Sequence, residues 1–279
     1  MSFIRDTLVV FRREMRLSLR NPAWVIIVLV QPVLYLVLFA PLLTRLPAAS
    51  LGASVNPNSP AGTAEAYRFF VPGLLIQLGL FGSMFVGFAI ISDWRGGVIE
   101  RFRVTPVSRL AVMGGRVLRD TLVLVTQAVI LVLVSIGFGL RAPVSAVLIS
   151  LGFIVLVAVG LASVSYATAL TVKSEDAFAP MLNSVIVPLV LLSGIMLPLT
   201  LAPGWLQGVA RVSPFRYIID AMREAFLGHY DNTIMLEGVL VALGLAVVFQ
   251  LFQPLASESG YATCGPPFSR LCGSPSRPG

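Results

Sequence analysis

The sequence predicts an all-α integral membrane protein: six membrane-spanning helices, an N-terminal helix lying in the membrane interface, and short outer amphipathic helices before the last span. Three observations predict it. The chain has 279 residues, 57% of them hydrophobic and 12% charged, with a mean hydropathy of +0.90; a soluble domain of that size cannot hide so much apolar surface. The apolar residues come in long runs, and about 20 suffice to cross a hydrocarbon core roughly 30 Å thick. Lys and Arg gather in alternate connections, 14 of the 20 on one side of the resulting topology.

The elements follow in order. Residues 1–22 place Ile4, Leu8, Phe11, Met15 and Leu19 on one helical stripe, flanked by Arg5, Arg12, Arg16 and Arg20, the pattern of an interfacial helix. Asn21 and Pro22 then supply an N-cap and a first helical residue, so the chain lies on the membrane, turns and enters it. Residues 23–253 form the transmembrane domain, with spans near Ala23–Leu43, Phe69–Ile91, Thr121–Leu140, Ala146–Val172, Phe178–Leu199 and Thr233–Phe252. The first five of these contain no Asp, Glu, Lys or Arg, whereas Glu237 interrupts the start of the sixth. The first is too long, and carries Pro32 and Pro41, to read as a cleaved secretory signal.

Ala48–Thr63 is a small, polar outer loop, and residues 173–176 a short inner turn. Residues 197–228 are half apolar and half charged. Pro203 starts one short helix there; Ser213 and Pro214 start a second that Gly228 ends. Phe215, Ile218, Met222 and Ala225 share a face of the second, with Arg216 and Asp220 four apart on another, which places both helices on or partly in the outer leaflet. Residues 254–279 are expected to be a disordered tail foreign to the rest of the chain: the stretch from Gln250 onward holds 5 of the 19 prolines and both cysteines.

Positively charged connections are retained in the cytoplasm, so the distribution of Arg and Lys predicts a multi-pass protein of the cell inner (plasma) membrane with both termini cytoplasmic. The net charge of +7 is accounted for by that pattern and by attraction to anionic lipid headgroups, and predicts no nucleic-acid partner. Cys264 and Cys272 make neither a disulfide framework nor a zinc site. The spans offer only Gln31, Gln77, Gln127, Asn183 and hydroxyls, with Gly160, Ala162, Ser163, Ser165 and Ala167 suited to close helix packing. His229 reads as a surface residue, and the sequence holds no HExxH, GxSxG or GxxxxGK motif. No catalytic residue, metal site or cofactor site is predicted, and the chain has no energy source of its own.

Two stretches resemble the membrane subunits of type-2 ABC exporters, the ABC-2 superfamily, especially its bacterial drug-resistance and polysaccharide-export branch. The first inner loop of that family reads as an acid, an Arg-Gly pair, a Glu, a short apolar helix and Thr-Pro-x-x-Arg. Here these are Arg95, Gly96, Gly97, Glu100, Arg101, Thr105, Pro106 and Arg109. The second motif is matched by Ser193, Gly194, Pro198, Pro203, Trp205, Leu206, Pro214, Tyr217, Asp220 and Arg223. Departures are Gly97, where the family more often has Thr, and the end of the chain, which lacks the usual basic flank.

The resemblance implies a permease without its own ATPase, working as a dimer with a second copy or a related permease. ATP and Mg would be bound by a separate cytoplasmic ABC ATPase subunit. Residues 97–106 would form a cytoplasmic coupling helix, with Val98, Ile99 and Phe102 docking in a groove of that partner, Glu100, Arg101 and Arg103 at the rim, and Thr105-Pro106 as the stop. The expected cargo is a hydrophobic drug or antibiotic moved out of the cell; a lipid or lipid-linked polysaccharide is the alternative. A stand-alone secondary carrier would need charge inside the spans, and an intramembrane enzyme a nucleophile and base at depth.

Overall fold

A computed structural model describes residues 3–20, 23–43, 60–96, 109–172, 174–195, 203–230 and 233–262. Ten helices make up these segments: α1 (Phe3–Arg20), α2 (Ala23–Leu43), α3 (Pro60–Met84), α4 (Gly87–Arg95), α5 (Arg109–Gly137), α6 (Val144–Val172), α7 (Glu175–Leu192), α8 (Gly204–Ala210), α9 (Pro214–Leu227) and α10 (Thr233–Ala262). No strand occurs among the described residues. An all-helical bundle suits an apolar solvent, because each helix pairs its own backbone groups.

The bundle is built around α3, in which every residue from Phe70 to Leu80 is buried. α2, α5, α6 and α9 pack around it, α10 lies along α6 and α9, and α1 runs along α5. Close packing of α6 agrees with its small residues: Gly160 lies so near α10 that a β-carbon there would sit 3.3 Å from the Ala246 Cα. α7 buries one stripe, Phe178, Leu182 and Ile186, and leaves Met181, Val185, Val187 and Leu191 exposed. α2 likewise buries Leu36 and exposes Ile26, Ile27, Val30, Leu34 and Leu38.

Five helical stretches among the described residues are long and apolar enough to cross a membrane: Ala66–Arg95, Ala111–Gly137, Val144–Val172, Glu175–Leu192 and Thr233–Gln250. The predicted first span is a single helix, but its described apolar stretch, Ile26–Leu38, is shorter. Boundaries also move. The third predicted span, Thr121–Leu140, is a helix that begins at Arg109 and ends at Gly137, so Arg116, Arg119 and Asp120 belong to it. The second extends past Ile91 to take in Asp93 and Arg95. An end of the bundle that reads in sequence as charged loop is therefore helix.

The fifth predicted span stops at Leu192, because Ser193 caps it and Gly194 takes φ +71°, a left-handed conformation that disfavours residues with a β-carbon. α9 begins and ends where its capping residues predict, with Pro214 in the first turn and Gly228 at φ +89°. Its apolar face turns inward, not toward lipid: Phe215, Ile218, Ile219, Ala221, Met222, Ala225 and Phe226 are all buried, with α3, α6 and α10 packed against the helix. Its amphipathic stripe fits the bundle interior, a destination that a hydrophobic face alone does not distinguish from a membrane surface. α10 continues past Phe252 to Ala262; the rest of the predicted tail lies outside the described residues.

Candidate functional site

One end of the bundle carries a connected set of charged side chains. Asp93 near the end of α4 and Arg116 in α5 form a hydrogen-bonded ion pair. These two helices flank residues 97–108, so the pair ties together the two stems of that segment. Arg116 also reaches Glu14 of α1 at 3.9 Å, and Arg119 reaches the same carboxylate at 3.8 Å. Arg119 pairs in turn with Asp120 at 2.7 Å, and the Tyr166 hydroxyl of α6 donates to the other oxygen of Asp120. Farther out, Arg95 lies 3.6 Å from Glu175 at the start of α7.

Burial makes this network selective. Arg116 and Asp120 side chains are 6% and 2% exposed, and a charge removed from water is tolerated only when paired. α1 is seated against α5 through Gly115, where a β-carbon would come within 2.9 Å of both the Thr7 carbonyl oxygen and the Val10 Cβ. That close approach carries Glu14 to the two arginines. On the α6 side, Ser165 bridges the break between α3 and α4: its hydroxyl donates to the Met84 carbonyl and accepts from the Gly87 N–H at 2.9 Å. The network thus touches α1, α4, α5 and α6 at once. Among the described residues, no three His, Cys, Asp or Glu side chains converge as a metal site requires.

The predicted docking residues Gly97, Val98, Ile99, Glu100, Arg101, Phe102, Thr105 and Pro106 lie outside the described residues. What the structure supplies is their anchorage, and most of it escaped the sequence reading. Arg116 and Arg119 read there as topology signals, and Glu14 and Asp120 drew no attention. Arg116 and Asp120 sit four residues apart, on one face once the helix is known to start at Arg109; Tyr166 has no local signal at all.

The second motif assembles at the opposite end of the bundle. Arg223 of α9 is enclosed, with Nη2 donating to the Gly194 carbonyl at 2.8 Å, Nε to the Phe69 carbonyl at 3.3 Å, and Nη1 lying 3.5 Å from Asp220. Its guanidinium stacks 3.8 Å from the Phe69 ring centroid. Burial pulls the guanidinium down to about 10, opposed by Asp220, so it stays charged at neutral pH and holds the end of α7 to α3 at Phe69. Asp220 also pairs with Arg216 at 3.5 Å, and the Tyr217 hydroxyl donates to the Arg211 carbonyl at 3.0 Å. The structure brings together Ser193, Gly194, Asp220 and Arg223. Pro203 and Pro214 only start helices, Trp205 is exposed, and Pro198 lies outside the described residues. Phe69, which carries two of the Arg223 contacts, was missed. His229 is exposed beside Glu224, a surface residue as expected.

Comparison with known proteins decides between families. The profile of the ABC-2 type transporter family matches residues 5–227. The chain belongs to that family. It is a multi-pass membrane protein and an ABC-2 permease, similar to the putative transport permease ycf38 of Cyanophora paradoxa, with 25% identity over 79% of this chain and 74% of that one. The daunorubicin resistance ABC transporter permease protein DrrB1 of Streptomyces coeruleorubidus is 28% identical, over 67% of each chain. The probable multidrug ABC transporter permease YbhR of Escherichia coli K12 is 24% identical over 62% of this chain and 46% of its own length. No solved structure matches. The matched range contains Glu14, the Asp93–Arg116 pair, Asp120, Tyr166 and Arg223, so both charged centres of this ABC-2 permease lie within the family domain.

Proposed function

We propose that this ABC-2 permease is the membrane subunit of an ATP-driven exporter that moves hydrophobic, drug-like molecules out of the cell. The observation that carries the reading is the Asp93–Arg116 pair, which clamps both stems of residues 97–108 and passes on to α1 and α6 through Glu14, Arg119, Asp120 and Tyr166. A segment anchored in this way can receive a push and hand it to several helices as a unit. Flexible attachment would dissipate it.

In this reading the network end faces the cytoplasm, in keeping with the excess of Arg and Lys there. α2 is the first of six spans, and α1 lies in the inner interface. A separate ATPase chain holds ATP and Mg and docks on Val98, Ile99 and Phe102, with Glu100 and Arg101 at the rim. A second permease copy completes the pathway. The names of the daunorubicin-resistance and multidrug relatives favour a drug-like cargo over a lipid-linked polymer. The test is co-expression with a cytoplasmic ABC ATPase subunit, followed by co-purification and efflux measured with and without ATP. Glu100→Lys is expected to lower co-purification or uncouple efflux from ATP, leaving membrane insertion unchanged. Full ATP-dependent efflux by that variant defeats the docking role.

A further inference from the structure

Helix α1 differs on three sides. Val10 and Glu14 are buried against α5, and Ile4, Leu8 and Leu19 stand exposed on a neighbouring flank. Away from α5, Arg12, Arg13, Arg16 and Arg20 project at helical spacings of three and four. Between them lies an open, one-sided cleft of about 570 Å³, whose lining residues Val9, Arg12, Arg13, Arg16, Leu17 and Arg20 all belong to α1. Arg13 leans toward Glu14 at 3.8 Å, but no acid among the described residues forms an ion pair with Arg12, Arg16 or Arg20.

Packing does not call for these cations, since α1 is already held through Gly115 and Glu14. Topology needs positive charge, but not in one cleft. Guanidinium groups at adjacent helical turns can grip the oxygens of one phosphate from two sides, while their methylene stems lie along apolar surface. Here the apolar surface is in place: Val9 and Leu17 line the cleft, and Leu8 and Leu19 are exposed one helical turn from Arg12 and Arg16.

We propose that the α1 cleft is a binding site for the phosphate headgroup of an anionic phospholipid, gripped by Arg12, Arg16 and Arg20, with its acyl chains over Leu8, Leu19, Val9 and Leu17. The mixed lining selects an amphiphile over a free anion, because a bare phosphate leaves the leucines and Val9 unused. The bound lipid fixes α1 from the side opposite Glu14, and thereby steadies the carboxylate that faces Arg116 and Arg119. The site does not depend on what the protein exports.

The full chain, purified in a neutral detergent, is mixed with equal amounts of phosphatidylglycerol and phosphatidylcholine, and retained lipid is counted by native mass spectrometry. Thermal unfolding is followed in parallel. The wild-type chain is expected to retain phosphatidylglycerol preferentially and to melt at a higher temperature with it. Arg12→Gln/Arg16→Gln is expected to weaken that retention about tenfold or more, since each such arginine near an anionic headgroup adds a comparable increment, and to lose the thermal gain while melting normally in phosphatidylcholine. Arg141→Gln/Arg211→Gln, with the same change in net charge, should behave as wild type. Equal retention of the two lipids, unchanged retention by the α1 variant, or an equal loss in the control variant overturns the proposal. Displacement of the lipid by millimolar inorganic phosphate also overturns it, by marking a bare anion site.

Discussion

At the scale of single residues, the two ends of the bundle solve one problem in different ways. Arg223 spends its donors on backbone carbonyls and Asp220, and so works as a structural tie. Arg116 directs its charge to carboxylates from two other helices, so its loss takes the paired cation from Asp93 and leaves Glu14 to Arg119 and Arg13. Arg116→Met is expected to destabilise the protein by about 3 kcal/mol, at the lower end of the range for breaking a buried pair because Asp93 is partly exposed. Adding Asp93→Asn should recover part of that loss, by removing the acid left unpaired. Melting temperatures of the two singles and the double in one detergent check this; strictly additive losses would mean that the pair is not coupled.

Among elements, the junction of α9 with α10 depends on Gly238. A β-carbon there would lie 3.0 Å from the Tyr217 carbonyl oxygen and overlap the Ala221 side chain. Gly238→Leu is expected to push α10 off α9 and cost about 1–3 kcal/mol, the usual range for overpacking. The damage should stay at that end of the bundle, so that co-purification with the ATPase chain changes little while the melting temperature falls. An unaltered melting temperature would show that the two helices do not cross so closely. The same logic explains what could be read of these elements in advance. The caps of α9 are local, written in Ser213, Pro214 and Gly228, and were legible. Its burial is a property of three neighbouring helices and was not.

For the whole molecule, the proposed orientation rests on the charge distribution, and it can be tested apart from transport. In a chain carrying Cys264→Ser and Cys272→Ser, a cysteine at position 229 is expected to react with a membrane-impermeant maleimide added to intact cells. One at position 176, at the network end, is expected to react only after permeabilisation. The reverse pattern would overturn the proposed topology. The amino-acid sequence by itself determined the class of protein, the approximate place of each apolar helix and the family motifs, because length, hydropathy and capping act over neighbouring residues. Only the tertiary structure decided that Glu14, Asp93, Arg116, Arg119, Asp120 and Tyr166 form one network, and that the two helices flanking residues 97–108 are tied together by Asp93 and Arg116. The physical reason is that a buried charge chooses its partner by proximity in the packed bundle. Glu14 and Tyr166 become neighbours of the same arginine pair only when glycine and small residues let α1, α5 and α6 approach closely.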